Sequence, residues 1–176
     1  MKSFSTTKRL CRAGIIAALY TALTYAFAPL AYGPFQIRPA EALCILALIY
    51  PEAIPALCVG CALSNITSPY AFYDVLFGSM ITLVAAFASY LVGLKIKNTP
   101  LKIFLGGLFP VLLNALFLPF VIIFLCDGGG DSVLIAYFSY AGSLALTQSV
   151  WVYGLGAPLL SAVSRLKTRG LRFLTD

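Results

Sequence analysis

Tyr50-Pro51-Glu52-Ala53-Ile54-Pro55 interrupts an apolar run that extends from residue 42 to residue 65. How this interruption is read decides how often the chain crosses a membrane. On its amino-terminal side, residues 42–50 rise only about 14 Å as an α-helix. Either one kinked span carries Glu52 in its interior, or two short spans meet in a tight proline-containing turn. That a membrane is involved follows from composition. Of 176 residues, 61% are hydrophobic and 10% charged, with a mean hydropathy of +0.95, whereas soluble domains carry roughly 25% charged residues.

Charge resolves the ambiguity. The amino terminus holds Lys2, Lys8, Arg9 and Arg12 before an apolar run over 13–30. That run is longer than the core of a secretory signal and the rest of the chain is equally apolar, so it reads as a retained first span. Later apolar segments cover 72–94, 101–125 and 133–163. Lys95, Lys97 and Lys102 flank one connection, and Arg165, Lys167, Arg169 and Arg172 occupy the tail. With the hairpin, the start, the lysine connection and the tail share one side. Of the 12 basic residues, Arg38 alone is then elsewhere. A single kinked span would put the lysine connection and the tail outside, against the positive-inside rule. The expectation is an all-α integral membrane protein, a single domain over 1–176 with six transmembrane helices and both termini cytoplasmic.

The net charge of +6 is explained by these flanking residues, so nucleic-acid binding is not indicated. Cys58 and Cys61 form a CxxC, but on one face of an intramembrane helix and in a chain without histidine. Together with Cys11, Cys44 and Cys126 they read as packing residues rather than a redox or zinc site. No GxxxxGK[ST] loop and no HExxH motif is present, which removes ATP hydrolysis by that route and metal-dependent proteolysis. The two halves show no obvious repeat, which disfavours a self-contained carrier built from inverted repeats.

Polar groups at membrane depth are costly unless paired, and they tend to line cavities or pathways. Arg38 and Glu41, in Pro34-Phe35-Gln36-Ile37-Arg38-Pro39-Ala40-Glu41, lie on the outer side, as do Asn65, Asp74 and the 126–131 stretch. Asn114 and Gln148 interrupt later spans. Arg38 and Glu41 can pair with each other three residues apart, or an arginine fork and a carboxylate can serve a polar heterocycle. Asn114 can equally be interhelical glue. Tyr140, Leu144, Gln148 and Trp151 fall on one face at helical spacing, offering rings for stacking and an amide for hydrogen bonding, or simply bundle packing. In the first span Gly14, Ala18, Ala22 and Ala26 recur every four residues beside the row Ala13, Ala17, Thr21. Such a bare face suits internal packing or docking of a separate subunit.

The stretch 32–43 with its Arg38-Pro39-Ala40-Glu41, the turn at 50–55, and Gly60-Cys61-Ala62-Leu63-Ser64-Asn65 resemble the queuosine-transporter (QueT) family. Its members are substrate-binding S components of energy-coupling factor (ECF) transporters. The resemblance extends over the chain in size and span pattern, with its specific motifs in roughly the first forty per cent. It implies a bacterial cell-membrane protein without enzymatic activity or cofactor. Such a chain captures a 7-deazaguanine queuosine precursor, or queuosine or queuine, from outside. It would then associate with a transmembrane coupling subunit and two cytoplasmic ATPases, which use the ATP. The small-residue stripe would match the family's AxxxA contact with the coupling subunit, as Ala13 to Ala17 or Ala18 to Ala22. Glu41 or Asp74 would accept the N1–H and exocyclic amine, Arg38 or Gln148 would donate to O6, and Trp151, Tyr140 or Phe35 would stack, with Asn65 and Asn114 completing the pocket. Alternatives are an S component for another vitamin or purine-like molecule, a stand-alone ion-coupled carrier, or a structural membrane protein with Arg38 and Glu41 as a closed salt bridge.

Overall fold

The computed structural model describes residues 2–32, 36–125 and 132–169. Among these, six main helical elements follow one another: α1 (Lys2–Ala26), the 3₁₀ helix α2 (Pro39–Leu48), α3 (Ala53–Asn65), α4 (Ala71–Lys95), α5 (Thr99–Leu125) and α6 (Val133–Lys167). A short turn of helix, Ala28–Ala31, follows α1. By length and composition α4, α5 and α6 are each long and apolar enough to cross a membrane, while α2 and α3 are shorter apolar helices.

Side-chain contacts give the directions. Arg12 Nε lies 2.7 Å from Glu52 Oε1, Thr21 Oγ1 donates to Gly60 O at 3.3 Å and Tyr25 OH to Leu63 O at 2.8 Å, so α1 and α3 run parallel. The intervening α2 must therefore run the opposite way. The chain reverses at 49–52, where Tyr50 N bonds Leu46 O and Ala53 N bonds Tyr50 O. Proline at position 51 and a break in the helix there form the hairpin turn; a single kinked helix does not describe this region. α4 runs antiparallel to α3, with Thr82 Oγ1 on Cys61 Sγ and Asn65 Nδ2 on Asp74 O. α5 reverses again through Ser89 Oγ on Gly106 O, and α6 once more through Tyr153 OH on Phe104 O and Tyr137 OH on Leu116 O. Directions thus alternate along the chain. Both described chain ends, the 49–52 turn and the 96–98 connection share one end of the bundle, and residues 27–32, 36–38 and 66–70 share the other.

α2 is the axis. All ten of its residues are buried, as an element without a polar face requires. Long 3₁₀ runs are uncommon, and at about 2.0 Å rise per residue this one reaches about 20 Å rather than the 15 Å of an α-helix of the same length. A segment that counts as short is thereby stretched through the bundle. Its neighbours approach it through glycines. A Cβ at Gly93 of α4 would lie 2.2 Å from Leu48 O, one at Gly106 of α5 2.3 Å from Leu48 Cδ2, and one at Gly156 of α6 3.0 Å from Ala42 O.

Three π-helical stretches, Asp74–Gly78, Val121–Leu125 and Val150–Gly156, interrupt α4, α5 and α6. In α6 the wider turn moves the buried stripe to a spacing of four, so Leu144, Gln148, Val152, Gly156 and Leu160 face inward. Large apolar side chains such as Leu94, Phe104, Leu134, Phe138 and Leu146 face outward, as a lipid-facing surface would and a soluble monomer's rarely does.

At the end shared by the termini, the Arg12–Glu52 pair is buried. The Tyr50 ring is flanked by the Arg12 guanidinium at 4.6 Å and Lys167 Nζ at 5.4 Å. This cluster joins α1, the hairpin turn and α6. α1 itself divides into three rows. Arg12, Ile16, Tyr20 and Thr24 are buried; Ala13, Ala17 and Thr21 are half-buried on the α3 side; Gly14, Ala18, Ala22 and Ala26 are exposed. Of the two alanine pairs, Ala13 and Ala17 therefore serve internal packing, with a Cβ at Gly60 only 3.0 Å from Ala17 O. Ala18 and Ala22 remain on the surface.

Candidate ligand site

Arg38 and Glu41 flank the first turn of α2 at the end of the bundle away from the termini. Proline at position 39 starts the helix, where its missing N–H has no cost. Both side chains are buried, yet among the described residues no ion pair joins them; each has its own partners. Tyr20 OH donates to Glu41 Oε1 at 2.6 Å. Cys44 Sγ donates to Oε2 at 3.2 Å, and Asn114 Nδ2 reaches the same oxygen at 3.5 Å, the outer limit for a hydrogen bond. The carboxylate is thus held by neutral donors from α1, α2 and α5.

Arg38 Nε donates to Ala31 O at 3.2 Å and the guanidinium lies 5.5 Å from the Tyr32 ring centre. Among the described residues its terminal amino groups make no hydrogen bond. Burial works against its charge while Tyr20, Cys61, Glu41 and Asp74 favour it, and the balance leaves the guanidinium more firmly protonated than usual.

Asp74 opens the π-helical stretch of α4 and is buried. Ser68 Oγ donates to its Oδ2, and Asn65 Nδ2 holds its backbone carbonyl at 3.0 Å. Gly78 leaves room for that amide, since a Cβ there would lie 3.0 Å from Asn65 Nδ2. Asn65 Oδ1 and Gln148 Oε1 are both buried without a hydrogen-bond donor, as is Gln36 Oε1. Gln36 also adopts a φ of 48°, the left-handed region that few side chains other than Asn or Asp enter. Unsatisfied buried acceptors are rare in native proteins and mark a role or a missing partner.

The structure thus brings Arg38, Glu41, Asn65, Asp74 and Asn114 into one connected buried region and buries Gln148 on the inward stripe of α6. Tyr140 and Trp151 are only half-buried. Trp151 lines a shallow cleft with Ile37, Leu146, Thr147 and Val150, because the π-helical turn starting at Val150 places Val152, not Trp151, on the inward stripe. Phe35 and the 126–131 stretch lie outside the described residues. Tyr20, Cys44, Tyr32 and Ser68 were not legible as site residues. Tyr20 had one available signal, the four-residue spacing from Arg12 and Ile16 to Thr24, which the more conspicuous rows of small residues beside it obscured.

Two carboxylates and one guanidinium are thus buried at this end of the bundle, and the buried acceptor oxygens of Gln36, Asn65 and Gln148 have no donor. Residues 10–165 match the family described as QueT transporter. A curated relative, the queuosine precursor transporter QueT of Lactococcus lactis subsp. cremoris (strain MG1363), is 37% identical over 82 residues, 46% of this chain and 48% of that protein. The chain spans about half the length of that relative in the match. No solved structure matches the chain. With the family match covering most of its length and apolar helices long enough to cross a bilayer, this multi-pass membrane chain belongs to the QueT transporter family.

Proposed function

We propose that this chain is the substrate-capturing S component of an ECF-type importer for a 7-deazaguanine queuosine precursor. The observation that carries the reading is the buried cluster at the end of the bundle opposite the termini. There Arg38, Glu41, Asn65 and Asp74 are all buried, Tyr20, Cys44 and Asn114 hold the Glu41 carboxylate, and Asn65 Oδ1 lacks a donor, as does Gln148 Oε1 on the inward stripe of α6. A 7-deazaguanine presents N1–H and an exocyclic amine side by side for a carboxylate, a further ring N–H for an amide oxygen, and a carbonyl for the Arg38 fork. Two carboxylates against one guanidinium favour a ligand bearing a cation, which selects the aminomethyl form over a neutral base. The relative's name as a queuosine precursor transporter supports the same substrate class.

Basic residues at the end shared by the termini support a cytoplasmic placement of both, six crossings, and a ligand site reached from outside. The chain itself would hold no ATP. Energy would come from a transmembrane coupling subunit and two ATPases, with the exposed row Gly14, Ala18, Ala22, Ala26 as the docking face. Calorimetric titration of the detergent-purified chain with the aminomethyl compound and with the free base tests the reading. Tight binding of the former, weakened by both Glu41→Ala and Asp74→Ala, is expected. Unchanged affinity in both variants, or no binding of either compound, would refute it.

A further inference from the structure

α1 carries its exposed small-residue row and the fully buried Tyr20 on different faces of one helix. Among the described residues Tyr20 makes the shortest hydrogen bond to Glu41, 2.6 Å from hydroxyl to Oε1. The opposite oxygen is held by Cys44 of α2 itself, which moves with Glu41 and cannot report on another helix. Of the donors on Glu41, Tyr20 is therefore the close one that belongs to a different element. A hydroxyl on a carboxylate in a dry interior is a strong, directional contact, so it determines where the free lone pairs of Glu41 point.

We propose that Tyr20 is a positioning residue for Glu41, and that through it ligand affinity depends on where α1 sits against the bundle. The inference rests on the function proposed above. It adds a mechanical route: a subunit that docks on the exposed face of α1 and displaces the helix withdraws the hydroxyl from the ligand carboxylate. The same helix is closely seated against α3, where a Cβ at Gly60 would fall 2.9 Å from Tyr20 Cβ and 3.0 Å from Ala17 O. A methyl group at position 60 thus presses on Tyr20 and Ala17 and shifts α1 with Tyr20, while leaving every hydrogen-bond donor to Glu41 chemically intact.

The test is a pair of double-mutant cycles on the full chain, read by calorimetry with the aminomethyl-7-deazaguanine as probe. Tyr20→Phe keeps the ring and removes the hydroxyl. It is expected to weaken binding about tenfold in the wild-type background, and less than twofold when combined with Glu41→Gln. Gly60→Ala is expected to weaken binding several-fold alone, and less than twofold on top of Tyr20→Phe. Equal losses in both backgrounds would show general packing damage and overturn the proposal, as would unchanged affinity in Tyr20→Phe. A wild-type chain that binds no deazaguanine fails the proposed function and this inference together. Wild-type binding with an unaffected Tyr20→Phe variant fails this inference alone.

Discussion

Gly93→Ala places a methyl group against backbone rather than against a side chain. Its Cβ would lie 2.2 Å from Leu48 O, 2.8 Å from Leu48 C and 2.9 Å from Leu48 Cα. Carbon–oxygen contacts settle near 3.3 Å at their closest, so α4 and α2 must part by about 1 Å. No rotamer change relieves this. A gap of that size forfeits a quarter to a half of each dispersion contact along the interface, and overpacking of this kind costs about 3 kcal/mol. In a domain of this length that lowers the unfolding midpoint by about 6 to 12 °C. Because α2 also carries Glu41, ligand affinity should fall with stability. Gly106→Ala is the graded control: its Cβ meets the end of the Leu48 side chain at 2.3 Å, which can rotate away, so a smaller loss is expected. Gly142→Ala has nothing within 4 Å and should be close to neutral. Thermal unfolding of the purified variants in one detergent provides the comparison. A Gly93→Ala midpoint equal to that of Gly142→Ala would refute the placement of α2 as the tightly gripped axis.

Three further outcomes are expected. Arg12→Met removes the guanidinium 2.7 Å from the Glu52 carboxylate and should cost about 3–5 kcal/mol, while adding Glu52→Met should recover much of it; a double variant no more stable than Arg12→Met, measured by chemical unfolding, would mean the pair is not coupled. Gln148→Leu removes an acceptor oxygen that has no donor, so the ligand-free chain should gain about 1 kcal/mol while ligand affinity drops; affinity unchanged in calorimetry would remove Gln148 from the site. Ala17→Leu overpacks the α1–α3 contact and should destabilise the chain by about 1–3 kcal/mol, whereas Ala18→Leu should leave unfolding and ligand affinity intact and abolish copurification of the partner subunits proposed above; copurification unchanged in Ala18→Leu would remove this row as the docking face.

The helical class and the alternation of direction were readable from local properties. Apolar segments of adequate length and lysines and arginines at their ends follow from the cost of burying charge in hydrocarbon, and that cost acts residue by residue. The hairpin at 49–52 was inferred from charge alone, and the parallel contacts of α1 with α3 then appeared in the structure. Arg38, Glu41, Asn65 and Asp74 stood out for the same reason, as polar groups where none should be inexpensive.

Other features depended on neighbours. The 3₁₀ winding of α2 has no signature in Pro39–Leu48, because it reflects how far the chain must reach and how closely Gly93, Gly106 and Gly156 let other helices approach. The π-helical turn beginning at Val150 shifts the inward stripe from Trp151 to Val152, a change of winding that spacing rules built on 3.6 residues per turn do not anticipate. The two alanine rows of α1 are alike in composition, and only the position of Gly60 opposite Ala17 decides which is packed and which is left exposed.

The sequence by itself thus determined that this is a membrane-spanning helical chain, where it reverses, and which charged groups require an explanation, since each rests on the transfer of single side chains between water and lipid. Only the tertiary structure decided that Arg38 and Glu41 do not close on each other. The reason is geometric: Tyr20 from α1, Cys44 from α2 and Asn114 from α5 converge on one carboxylate, and Ala31 takes the Arg38 Nε.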